Sequence, residues 1–169
     1  YDILFTVRSS AIGSQPGDVC LPGGKLEKGE GPQEAAIREA MEELLIRREQ
    51  LTLIGPSDIF HLTNINVHPF LCYLSGYEDT FSRDEVAEVF CVPLTFFLQH
   101  EPDRYVSNWK VDLPEDFPYD KIVGGKNYKW RDRREEILFY EYDGHVIWGM
   151  TAKIIESFVA ILKSGENRT

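Results

Sequence analysis

Two periods of hydrophobic and polar positions run through this chain, and they predict its elements in order. The run Ile3-Leu4-Phe5-Thr6-Val7 is short, apolar and β-branched, which predicts a buried strand. A loop with Gly13, Pro16 and Gly17 follows, then a brief strand at Val19-Cys20-Leu21 that Pro22-Gly23-Gly24 breaks. Good helix formers continue from 33 to about 49 without Gly or Pro, so a helix is expected there. Residues 51–54, 68–74 and 86–92 read as further strands, and 94–100 as a short helix. The stretch 101–135 is polar and aromatic, carries three prolines, and reads as an insertion loop across one face. Residues 137–142 and 145–148 flank Asp143-Gly144, the signal of a hairpin with a type I′ turn. An amphipathic helix over 151–162 closes the pattern. Strands interleaved with two substantial helices imply an α/β class, one domain over 1–169 with helices covering a curved mixed sheet.

On a wheel of the 33–49 segment, Ile37, Ala40, Met41 and Leu44 share one side, which should face the core. Glu39, Glu42 and Glu43 fall together on the other. Ionised carboxylates at such spacings repel one another by a few tenths of a kcal/mol per pair. A cation between them reverses the sign, and hard divalent ions prefer carboxylate oxygen.

Composition narrows the partners. The chain has 169 residues, 28 Asp plus Glu against 18 Lys plus Arg, and a formal charge of −10. That balance argues against binding nucleic-acid polymers, which calls for a basic surface. No apolar run reaches the roughly 18 residues that suggest a membrane span. Cys20, Cys72 and Cys91 sit in apolar stretches without a CxxC pair, so buried reduced thiols and no zinc site are expected. Likewise, His61, His68, His100 and His145 lack metal-ligand spacing. No evident base adjoins Ser9 or Ser10, which disfavours a covalent nucleophile.

The upstream residues give the glutamates a longer context. Gly24, then Glu30, then Arg38-Glu39-Ala40-Met41-Glu42-Glu43-Leu44-Leu45-Ile46 stand at fixed spacings. Six fixed positions at about one in fifteen each make a chance match about 10⁻⁷ per window. The segment resembles the Nudix box, G-x5-E-x7-R-E-U-x-E-E-x-G-U with U aliphatic, and departs from it at Leu45, where the box has glycine. The resemblance implies an α/β/α sandwich that hydrolyses nucleoside diphosphate derivatives with Mg2+ or Mn2+. It implies Glu39, Glu42 and Glu43 as metal ligands, assisted by the Gly23 carbonyl, and a Glu30–Arg38 pair bracing the loop against the helix.

A second resemblance is to the coenzyme A pyrophosphatases. It rests on Leu4-Phe5-Thr6-Val7-Arg8-Ser9, on Gly17-Asp18-Val19-Cys20-Leu21-Pro22-Gly23-Gly24, and downstream on Asp84-Glu85-Val86, Val92-Pro93-Leu94 and Trp148-Gly149-Met150-Thr151-Ala152. It implies cleavage of coenzyme A or acyl-coenzyme A to 3′,5′-ADP and (acyl-)4′-phosphopantetheine. Arg8, Ser9, Gly24 and Lys25 are then the substrate-binding candidates. The resemblance leaves the general base as either a box glutamate or a later carboxylate, and among the later ones Glu85 is favoured over Asp79. The basic run 126–134, with Tyr128 and Trp130, reads as a solvated loop, with a grip on the 3′-phosphate and adenine as the alternative. ADP-ribose or dinucleotide hydrolysis, or a non-catalytic nucleotide-binding regulator, are the competing functions. Homodimers are common in this superfamily, so a dimer is a possible assembly. The ending Glu166-Asn167-Arg168-Thr169 is no Ser-Lys-Leu signal, and the cytoplasm is the expected compartment.

Overall fold

A computed structural model of the chain describes residues 1–131 and 133–166, so the expectation placed on the last three residues lies outside the described ones. The elements in chain order are β1 (Asp2–Arg8), β2 (Val19–Cys20), α1 (Pro32–Leu44), β3 (Leu51–Pro56), β4 (Phe60–His61), β5 (Asn66–Val67), β6 (Phe70–Leu74), β7 (Val86–Pro93), α2 (Leu94–Gln99), β8 (Asp103–Trp109), β9 (Arg133–Tyr142), β10 (His145–Trp148) and α3 (Gly149–Glu166). Strands pair as β2-β1-β7, β10-β9-β8, β3-β6 and β4-β5, every pair among the described residues being antiparallel.

The period of two in β1 builds the layers. Ile3, Phe5 and Val7 point to one face, where Val92, Phe97, Leu138, Ile147, Ala152, Ile155 and Val159 form a core under α2 and α3. Leu4 and Val89 point to the other face and pack with Ile37, Ala40, Met41 and Leu44 of α1 and Leu51 of β3. The pairs Phe5↔Phe90 and Thr6↔Val89 keep the two sets apart along the strands. The central strands thus carry apolar residues on both faces with a helix layer on each side, an α/β/α sandwich.

Three expectations need correction. The first helix ends at Leu44, five residues earlier than expected. Leu45 takes a left-handed conformation (φ 51°, ψ 42°), its N–H donates to the Met41 carbonyl, and a separate 3₁₀ turn covers Arg48–Gln50. The glycine position of the box therefore still stops the helix, although a leucine fills it. Second, the stretch expected as a loop from 101 begins with β8, which pairs with β9 along its whole length. Six of its seven residues are exposed, so burial leaves no alternation to read. Third, Cys91 is exposed and the other two thiols only half-buried, though all three are free. The hairpin is as expected, with Asp143 and Gly144 both at positive φ (47° and 81°) between the paired Tyr142 and His145. No helix among the described residues is long and apolar enough to cross a membrane.

Candidate active site

The core stripe of α1 dictates where its carboxylates point. With Ile37, Ala40, Met41 and Leu44 held inward, Glu39 and Glu43, one turn apart, line the flank facing Gly23, Gly24 and the loop before β7. Glu85 stands at the end of that loop. One carboxylate oxygen each from Glu39, Glu43 and Glu85 lies within 4.8 Å of the others. At that separation two unit charges repel by about 3.5 kcal/mol at an effective dielectric near 20.

Glu43 is the most constrained of the three. It is buried at 6% exposure, and its Oε2 has no hydrogen-bond partner. Burial, and then the neighbouring Glu39 and Glu85 charges, push its carboxyl up to about 7, against the pull of the Gly23 backbone N–H and of Arg8. A buried carboxylate oxygen without a protein donor, beside two further carboxylates, fits a hard divalent cation. Gly24 keeps the cradle open. A Cβ there would stand 2.2–2.3 Å from the Glu39 carboxylate atoms, so any other residue would push that flexible carboxylate out of its place.

Glu42 is not brought into the trio. Its side chain is 55% exposed and its Oε2 accepts from Arg38 Nη1 at 3.0 Å. Arg38 is the hub of the surrounding shell. Nε and Nη2 fork onto the two oxygens of Glu30 (2.9 and 3.1 Å), Nη1 also reaches Glu39 (3.0 Å), and Nη2 reaches the Lys25 carbonyl (3.1 Å). Glu30 Oε2 in turn accepts from the Glu27 N–H at 3.0 Å. Hydrogen bonding from Arg38, then from Glu27, holds the Glu30 carboxyl below its usual range. The expected brace between loop and helix is present. Its further contacts to Glu39 and Glu42 had no sequence signal beyond the i, i+1 and i, i+4 spacings.

The remaining candidates divide. Arg8 acts on Glu43 electrostatically and donates from Nε to the Ser14 carbonyl at 3.0 Å. Ser9 is buried, and its N–H donates to the Glu85 carbonyl at 2.8 Å, tying the end of β1 to the trio. Lys25 is exposed, and its carbonyl rather than its ammonium serves Arg38. Asp79 stands beside Tyr77 and Cys91 and is not a member of the trio. In the basic run, Arg133 Nη1 reaches Thr63 Oγ1 at 2.9 Å. Arg133 opens β9, whose ten residues span roughly 30 Å. Its other end is the hairpin turn, from which His145 pairs with Glu88 (3.1 Å) and stacks on Phe90.

Residues 2–112 match the NUDIX domain family. A Mus musculus protein named peroxisomal coenzyme A diphosphatase NUDT7 is 36% identical over 118 residues, which are 68% of this chain and 49% of that protein. A Caenorhabditis elegans protein named peroxisomal coenzyme A diphosphatase ndx-8 is 33% identical over 116 residues, 65% of this chain and 48% of that one. A Citrobacter koseri protein named as Nudix hydrolase NudL is 30% identical over 158 residues, 90% of this chain and 71% of that one. The chain spans about half the length of the mouse and nematode relatives. With the box in place on α1 and two thirds of its length inside the domain match, this chain belongs to the Nudix family.

Proposed function

We propose that the chain is a divalent-metal-dependent Nudix pyrophosphohydrolase that splits coenzyme A, free or acylated, into 3′,5′-ADP and (acyl-)4′-phosphopantetheine. The observation that carries this reading is the convergence of Glu39, Glu43 and Glu85 around a buried, partnerless carboxylate oxygen. These three would hold Mg2+ or Mn2+, with the Gly23 carbonyl beside them and Glu42 as a further carboxylate at the rim. The ion would neutralise phosphate charge and polarise the oxygens on the phosphorus under attack.

The chain's own residues supply the rest. Glu85, exposed at the open side of the trio, takes the proton of the water that attacks phosphorus. The bond from that phosphorus to the bridging oxygen breaks, and the leaving phosphate departs with that oxygen. Arg8 and Lys25 meet the remaining phosphate charge, with their chain neighbours Ser9 and Gly24 as further substrate-binding residues. Arg38 and Glu30 keep the Gly24–Glu30 loop in register with α1, and Arg38 orients Glu39 and Glu42. Coenzyme A is favoured because residues like those of its pyrophosphatases adjoin the trio: Arg8 acts on Glu43 electrostatically, and the Ser9 N–H donates to the Glu85 carbonyl. The names of the mouse and nematode relatives point the same way. The formal charge of −10 argues against a nucleic-acid polymer as partner.

The test is incubation with coenzyme A, ADP-ribose, NADH and diadenosine polyphosphates in magnesium, with products identified by mass. Release of 3′,5′-ADP from coenzyme A is expected. Turnover of ADP-ribose or the dinucleotides without turnover of coenzyme A would overturn the substrate assignment.

A further inference from the structure

The three carboxylates come from two elements, so something must set Glu85 against α1. Where a helix stops, its last carbonyls lose their intrahelical partners. Here the left-handed Leu45 ends α1, and the loop that carries Glu85 takes up two of those carbonyls. The Ser82 N–H donates to the Glu43 carbonyl at 2.8 Å, and Thr80 Oγ1 donates to the Leu44 carbonyl at 2.8 Å. From Ser82 the chain continues into a tight turn, with the N–H groups of Glu85 and Val86 donating to the Ser82 carbonyl at 3.2 and 2.8 Å. On the other side, the Glu85 carbonyl accepts from Ser9. Tyr77 packs on the Leu44–Ile46–Leu51 cluster, and its hydroxyl donates to the Thr80 carbonyl at 2.6 Å.

We propose that Thr80 is a positioning residue: with the Ser82 N–H, its hydroxyl clamps the 77–85 loop to the C-terminal carbonyls of α1 and so fixes Glu85 relative to Glu43. The consequence for metal binding rests on the reading of the trio as a metal site. The clamp itself does not. Thr80 is exposed and its side chain belongs to neither apolar core, so replacing its hydroxyl leaves both cores intact. Thr80→Val keeps the shape and removes the donor, and Thr80→Ser restores it.

Two measurements on the folded protein decide the matter. In the metal-free protein, amide hydrogen exchange over 77–86 and at Ser9 should quicken about tenfold in Thr80→Val, with the interior of α1 unchanged and Thr80→Ser like wild type. In Mn2+ titrations followed by the free-ion resonance signal, Thr80→Val should bind about tenfold more weakly and Thr80→Ser normally, the size of effect expected for an outer support of a ligand. Unchanged exchange in Thr80→Val overturns the clamp. Quickened exchange with unchanged Mn2+ affinity overturns its role in placing Glu85. Glu43→Gln is the separate control: if it binds Mn2+ as wild type does, the metal-site reading fails, and the exchange data still decide the clamp.

Discussion

Glu43→Gln should make the metal-free protein more stable, not less, and the gain should depend on pH. The wild-type carboxyl goes from an ordinary 4.5 in the unfolded chain to about 7 in the folded one. A raised carboxyl binds a proton in the native state that the unfolded state has released, so stability falls as pH rises from 4.5 to 7. The penalty is absent below that window and complete above it. The difference corresponds to about 3 kcal/mol at pH 8 and under about 1 kcal/mol at pH 5. Glutamine keeps the shape, carries no charge, and can donate to the Glu39 or Glu85 carboxylates. In a chelating buffer at pH 8, thermal melts should place Glu43→Gln roughly 6–12 °C above wild type, for a chain of this length. At pH 5 the gap should nearly close. Magnesium at a hundredfold excess over its dissociation constant should stabilise the wild type by about 2.7 kcal/mol, raising its melting temperature, and leave the variant unmoved. A variant that melts no higher than wild type at pH 8, or a gap equal at both pH values, would refute the account of Glu43 as a buried and electrostatically crowded acid.

Three further outcomes follow from single contacts. Gly24→Ala should fold normally but bind Mn2+ about tenfold more weakly in a calorimetric titration, because its Cβ must displace the flexible Glu39 carboxylate. Arg38→Lys should lower kcat/KM for coenzyme A by about tenfold or more, since an ammonium cannot reproduce the fork onto Glu30 while also reaching Glu39, Glu42 and the Lys25 carbonyl. Leu45→Gly should raise stability in urea titrations by about 0.5–1 kcal/mol. It relieves roughly 1–2 kcal/mol of left-handed strain against the greater flexibility of glycine, and the 59% exposed leucine gives up little burial.

The parts of this molecule legible in its sequence are those governed by a local period or a local turn. The stripe Ile37, Ala40, Met41 and Leu44 faces the core as a 3.6 period requires, and Asp143-Gly144 makes the expected turn because few other dipeptides tolerate two positive φ values. The Glu30–Arg38 pair was legible only through the resemblance to a known box. A wheel groups Glu42 with Glu39 and Glu43 by angle alone. It cannot weigh the pull of Arg38, which draws Glu42 outward, nor bring in Glu85 from 42 residues away. Edge strand β8 was hidden for a related reason, since its partner β9 lies beyond more than twenty intervening residues and neither core claims its side chains.

The stop of α1 ties these gaps together. Leu45 carries no signal for a left-handed turn, and propensity alone would run the helix on to 49. What ends it is tertiary: Ile46 and Leu51 must reach the same cluster as Leu44, and the Thr80 and Ser82 donors wait for the carbonyls that stopping exposes. A helix continued past Leu44 would pair those carbonyls internally and leave the loop of Glu85 without its anchor. The placement of the third carboxylate is thus decided by where the helix ends, a property of the packed chain that no window of local sequence contains.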